Sequence, residues 1–181
     1  MSRRFMSAYF GRLSYETEDV LTFPRGLAGF ERNRSWLLLD AQDAGAVKWL
    51  QNLDDPDLAL PVAASDAVKP DYSARISEDD LELVGALDVE DPEDLALLVL
   101  LTIPQTAPWD VTANLRAPIL VNAGTRQALQ VIALDENYPV RHPVLSAAAR
   151  AEMEGRFRGR AAPRARTRAL SPDRVISAAP C

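Results

Sequence analysis

The chain has 181 residues, 48% of them hydrophobic and 25% charged, which suits one globular domain with a core of ordinary size plus a tail. Its longest apolar run, residues 95–101, is far short of the ~20 residues that cross a bilayer, and no apolar targeting core stands near the start. A cytoplasmic protein with no membrane association is therefore expected. The one cysteine, Cys181, leaves no partner for an internal disulfide.

The first elements are short strands. Residues 5–10 lead to Gly11, and 13–15 alternate before an acidic turn. Residues 20–23 form a strand stopped by Pro24-Arg25-Gly26, where Gly26 and Gly29 suit a loop that needs positive φ. Residues 36–39 read as a buried strand. Residues 47–53 alternate, with Val47, Trp49, Gln51 and Leu53 on one side, until Asp54-Asp55-Pro56-Asp57 breaks the run. Residues 58–62 follow, and Pro61, which cannot donate to a ladder, puts this strand at an edge or ends it.

One helix is expected after Ser77, a capping residue followed by Glu78-Asp79-Asp80 and by Leu81, Leu83 and Val84, with Gly85 as its stop. A second short turn is expected at Pro92-Glu93-Asp94. Residues 95–103 should be a central strand. Residues 118–121 and 128–134 close the domain as two more strands, joined across residues 122–126. From residue 146 the composition turns to Ala, Arg and Pro. Residues 146–157 suit a helix, and those beyond Gly159 cannot bury enough apolar area to fold. The fold expected is mostly β: a small antiparallel barrel or sandwich over residues 1–145 with one or two short helices, and an Arg/Ala/Pro-rich tail over 146–181.

Charge divides the same way. Residues 1–145 hold 12 Lys and Arg against 23 Asp and Glu, a net of −11; residues 146–181 hold 8 Arg against 3 acids, a net of +5. An acidic body repels phosphate backbones and attracts basic partners, so no direct nucleic acid is expected on it.

Chemistry-bearing groups are sparse. The single histidine, His142, has no nucleophile beside it, and neither a zinc set nor a calcium-loop pattern is present. The carboxylates of Asp54/Asp55/Asp57, Glu78/Asp79/Asp80 and Glu90/Asp91/Glu93/Asp94 sit beside prolines or at a helix start, where solvated turns and caps explain them. Gly26-Leu27-Ala28-Gly29 lacks the Gly-Lys-Ser/Thr of a phosphate cradle. No catalytic residue, metal site or cofactor is expected. Trp36 and Trp49 suit a core, whereas Trp109 sits in the Pro-rich turn 105–110 and suits a binding anchor.

Five blocks, in order over residues 5–144, resemble one family. Phe23-Pro24-Arg25-Gly26-Leu27-Ala28-Gly29-Phe30 is similar to the "F-P-x-G-x-x-G-F" opening of the flagellar assembly factor family FliW. The run from Leu50-Gln51-Asn52 to Leu58-Ala59-Leu60, Pro70-Asp71-Tyr72, Thr112-Ala113-Asn114-Leu115-Arg116-Ala117-Pro118, and Tyr138-Pro139-Val140-Arg141-His142-Pro143 resemble later blocks. Before Pro70 many members carry aromatic or aliphatic residues; this chain has Ala67-Val68-Lys69, and Leu129 stands where a Lys is usual.

The resemblance implies a β-barrel-like binding protein, not an enzyme. Its expected partners are the translational repressor CsrA and flagellin, with free flagellin releasing the repressor. Candidate contact residues are Asp71, Tyr72, Trp109, Asn114 and Leu115; Asn114 reads equally as a turn residue bonding its own backbone. Rival readings are a small-ligand-binding barrel, an enzyme built on the acidic clusters, and a nucleic-acid binder acting through the Arg tail.

Overall fold

A computed structural model describes residues 2–40, 45–87, 89, 91–135 and 137–159. The chain opens with a hairpin, β1 (Arg3–Ser7) and β2 (Gly11–Tyr15). It continues through β3 (Val20–Thr22), β4 (Ser35–Asp40), β5 (Val47–Asn52) and β6 (Ala59–Ala64), then the short helices α1 (Ser65–Val68) and α2 (Glu78–Leu83). The long strand β7 (Leu95–Thr102) follows, then β8 (Thr112–Ala113), β9 (Ile119–Asn122), β10 (Gln127–Gln130), β11 (His142–Pro143) and helix α3 (Ala147–Gly159).

Seven of these strands close on themselves. The order runs β7-β6-β5-β4-β3-β10-β9, and β9 pairs back to β7 through Leu95↔Asn122 to Leu98↔Ile119. Neighbours are antiparallel except β10 and β3, which run parallel at Gln127↔Thr22. The expected barrel is therefore present, and a barrel this narrow has room inside only for side chains. Each strand sends at least one there: Leu21, Trp36, Leu50, Val62, Leu98, Ile119, Val121 and Ala128 form one cluster with Phe23 and Leu27. Among the described residues, that interior is filled by these side chains.

The opposite side chains of the same strands are also buried, under three separate covers. The β1–β2 hairpin lays Leu13 over Leu37 and Leu39, with Phe5, Phe10 and Trp49 packed alongside. The α2 segment lays Val84 and Ala86 over Leu120 and Leu129. Val68 of α1 and the loops carrying Tyr72, Leu115 and Tyr138 cover Ala63, Val99 and Leu101. Burial on both faces is why residues 95–101 are apolar without alternation.

Three local features follow from the sequence. Gly26 sits at φ +70, and a Cβ there would lie 2.6 Å from Glu31 Cα, so only glycine fits the turn that folds Leu27 back beneath Phe30. Ser77 Oγ accepts the backbone N–H of Asp80 at 3.2 Å, capping α2 as expected. That helix ends where Gly85 takes φ +66, Gly85 N–H donates to Glu82 and Ala86 N–H donates to Leu81.

Three expectations need correction. Pro61 is mid-strand in β6, opposite Trp49, not at an edge. It is tolerated because the β6–β7 ladder begins only at Val62, so the absent N–H has no strand to serve. The last strand stops at Gln130 instead of reaching 134: Val131 and Ala133 donate to the loop carbonyls of Pro118 and Arg116, outside the sheet. The short helix α1 has no sequence signature beyond Ser65 and was not expected. The tail beyond Gly159 lies outside the described residues.

Candidate protein-docking site

Between the hairpin cover and the Tyr72 cover, a strip of the barrel's outer face is only partly covered: Trp49 and Pro61 are half-buried and Leu101 is buried. Trp49 of β5 pairs with Pro61 of β6, and extending the β6–β7 ladder by one residue sets Leu101 beside Pro61. These three, with Thr102, Ile103, Pro104, Gln105 and Pro108, line an open groove of about 630 Å³. Its walls are apolar and stiff, because prolines and a tryptophan have little rotamer freedom to lose on binding. Phe10 meets the edge of Trp49 with ring centres 5.7 Å apart, so one wall is braced from behind. Sequence reading assigned Trp49 to the core and missed the groove; the available signal was a proline inside an otherwise regular strand.

A second feature borders the β7 end. Tyr72 Oη donates to the carbonyl of Leu115 at 2.6 Å, and its ring lies 4.7 Å from that of Tyr138. Tyr138 Oη donates to the Ser73 carbonyl at 2.8 Å and accepts the Ser73 N–H at 3.3 Å. Burial first, then the nearby Tyr138 and Asp135, push the Tyr72 phenol up to about 12. Beyond it, Asp135 accepts the Arg75 N–H at 2.9 Å and Nε at 3.0 Å; the backbone bond, then the side-chain one, hold its carboxyl below the usual range. This seam zips segments 43 to 65 residues apart in sequence. Tyr138 and Asp135 were not singled out beforehand, although Tyr138 stands in one of the quoted blocks.

The five expected contact residues divide. Asp71 is exposed and paired with Lys69 Nζ, and that bond holds its carboxyl below the usual range. Tyr72 is half-buried in the seam. Leu115 has no exposed surface at all; its side chain packs with Ala113 and its carbonyl serves Tyr72, so it positions the site and does not face a partner. Asn114 Oδ1 accepts the N–H groups of Arg116 at 3.1 Å and Ala117 at 3.0 Å, the self-bonded turn. Trp109 lies in a 3-10 turn, Pro108–Asp110, at the end of the groove, with the Phe157 ring 5.2 Å away.

The Asp54–Asp57 cluster forms a hydrogen-bonded turn. Asn52 Oδ1 accepts the N–H groups of Asp54 at 2.9 Å and Asp55 at 2.7 Å, while Asp55 Oδ1 accepts that of Asp57. His142 sits in β11, opposite Ala113. Among the described residues, no helix is long and apolar enough to cross a membrane.

Comparison with known proteins bears on this barrel and its seam. The FliW protein family matches residues 4–145. The chain belongs to the FliW family. The flagellar assembly factor FliW of Caldanaerobacter subterraneus subsp. tengcongensis is 39% identical over 137 residues, 75% of this chain and 89% of that protein. That of Syntrophomonas wolfei is 36% identical over 152 residues, 84% of this chain and 95% of the relative. A crystal structure of a flagellar assembly factor FliW superposes with a TM-score of 0.71 at 28% identity, covering 80% of this chain and 98% of the other. The FliW match ends at residue 145, so α3 lies beyond it.

Proposed function

We propose that this chain is a cytoplasmic, non-catalytic flagellar assembly factor that binds the translational repressor CsrA and is itself taken up by flagellin. Flagellin synthesis would thereby follow flagellin export. The observation that carries the reading is the open groove lined by the half-buried Trp49 and Pro61 with Ile103, Pro104 and Pro108, on a body of net charge −11 over residues 1–145. A rigid apolar groove gives a partner side chain somewhere to bury, and the surrounding acids speed encounter with a basic RNA-binding protein. Competition between CsrA and flagellin requires only that the two bound states disfavour one another.

The test is calorimetric titration of the full chain with purified CsrA and with flagellin, then each against the preformed complex of the other. Binding of each partner and displacement of one by the other is the expected result. Ile103→Glu, which puts a charge on the groove rim without touching the interior, should weaken at least one partner about tenfold or more. Retention of neither partner by the wild-type chain overturns the reading.

A further inference from the structure

Helix α3 is built to stand alone yet is lightly attached. Ser146 Oγ caps it by accepting the N–H of Ala149 at 3.2 Å, and Arg156–Glu152 at 2.7 Å and Arg158–Glu154 at 2.6 Å brace it along its length. None of its side chains is fully buried. Among the described residues, two of its contacts with the body land on adjacent residues of the 3-10 turn at the groove's end. Phe157 meets Trp109 edge-on at 5.2 Å, and Arg150 Nε sits 2.6 Å from Asp110 Oδ1, an oxygen closed to water. Arg150 and Phe157 are seven residues apart, two helical turns, so they share one face.

We infer that the Trp109–Asp110 turn is a helix-docking shelf, that its ligand chemistry is an arginine and an aromatic side chain two turns apart on a helix, and that α3 is its resident, displaceable occupant. Trp109 supplies an aromatic ring and Asp110 a carboxylate, 37% exposed, with one oxygen closed to water, which pairs ionically with Arg150; these are the two complements that this pair of side chains requires. The attachment is weak by construction. Phe157 keeps 51% of its surface exposed, and the Arg150 side chain 56%. A helix held by so few buried contacts belongs to the low-stability end of a fold and opens without disturbing the barrel. The shelf adjoins Pro108 of the groove wall, so a seated α3 competes with any partner helix that presents the same pair. Such competition lowers the partner's apparent affinity by the fraction of molecules left open. The competition half rests on the docking function proposed above; the shelf itself does not.

The experiment uses the full chain throughout. Phe157→Ala and Arg150→Glu should each accelerate backbone hydrogen exchange at residues 109–110 and 147–157 and leave the barrel strands unchanged. Asp110→Arg combined with Arg150→Glu should restore protection, which a merely structural role for either residue would not produce. A synthetic peptide of residues 146–159 should bind the Phe157→Ala chain about fivefold or more tightly than wild type, the factor that one edge-on aromatic contact supplies. Unchanged exchange in both single variants, or equal peptide binding to both chains, overturns the shelf. Flagellin or CsrA should gain a similar factor on Phe157→Ala; equal affinity for both chains overturns the competition. If neither protein binds any variant while the peptide still discriminates, the proposed function fails and the shelf stands.

Discussion

The barrel and helix α3 hold themselves in place by opposite means. In the barrel, side chains on both faces of the strands are sealed, inward against one another and outward beneath three covers. Two polar side chains caught inside, Asn122 and Gln51, are hydrogen-bonded at both ends of their amides. Asn122, 2% exposed, donates to the carbonyls of Val84 and Gly85 at 3.0 Å and accepts the N–H groups of Gly124 and Thr125. Gln51, equally shut in, takes the Ser7 hydroxyl at 2.6 Å and donates to the Asn52 and Leu58 carbonyls. Helix α3 has bonds within itself and, among the described residues, surface contacts outward to Trp109 and Asp110. The barrel is made to stay, and the helix is made to leave.

Substitutions that probe this contrast should fall in a clear order. Trp36→Ala removes the largest side chain of the interior, fully buried, and should cost about 3–5 kcal/mol in denaturant unfolding. A loss under 1 kcal/mol would show that the interior is not the stabilising layer. Asn122→Ala removes four hydrogen bonds between the α2 stop and the β9–β10 turn, while the Val84 carbonyl keeps Thr125 Oγ1 as a partner, and should cost about 2–3 kcal/mol by the same measurement. Tyr72→Phe keeps the ring and loses one hydrogen bond across the seam, at a cost of about 1 kcal/mol. Phe157→Ala should move global unfolding by less than about 0.5 kcal/mol, because the barrel does not lean on the helix.

The seam also gives the molecule an alkaline edge. The Tyr72 phenol titrates near 12 when folded and near 10 when unfolded. Between those values the unfolded chain has released a proton that the native one still holds, so stability is intact below about pH 10 and declines as pH rises toward 12. Unfolding free energies collected across that window should fall for wild type and fall less for Tyr72→Phe. Parallel curves would remove Tyr72 as the cause.

Much of the framework was legible in residue types alone. Gly26, Ser77 and Gly85 act locally, through a positive φ or a cap within three residues, and the structure places each where local chemistry demanded. The strand 95–103 was equally plain, since a stretch buried on both faces has to be apolar throughout. What misled was distance along the chain. Pro61 read as an edge because nothing nearby says that the next strand begins pairing one residue later. Leu115 read as a contact because its block resembles a family motif; its burial depends on Tyr72, 43 residues earlier. Asn122 read as an ordinary loop residue until α2 folded over it.

The sequence by itself determined an acidic, mostly β domain, because hydrophobic period, turn residues and charge are written in neighbouring positions, and its five motif blocks carried the resemblance to FliW. Only the tertiary structure decided that seven strands close, that Trp49, Pro61 and Leu101 line up along one groove, and that Arg150 and Phe157 land on Asp110 and Trp109. Those are pairings between distant segments. Their register is fixed by how the covers share out the barrel's outer face, a quantity that no stretch of residues carries alone.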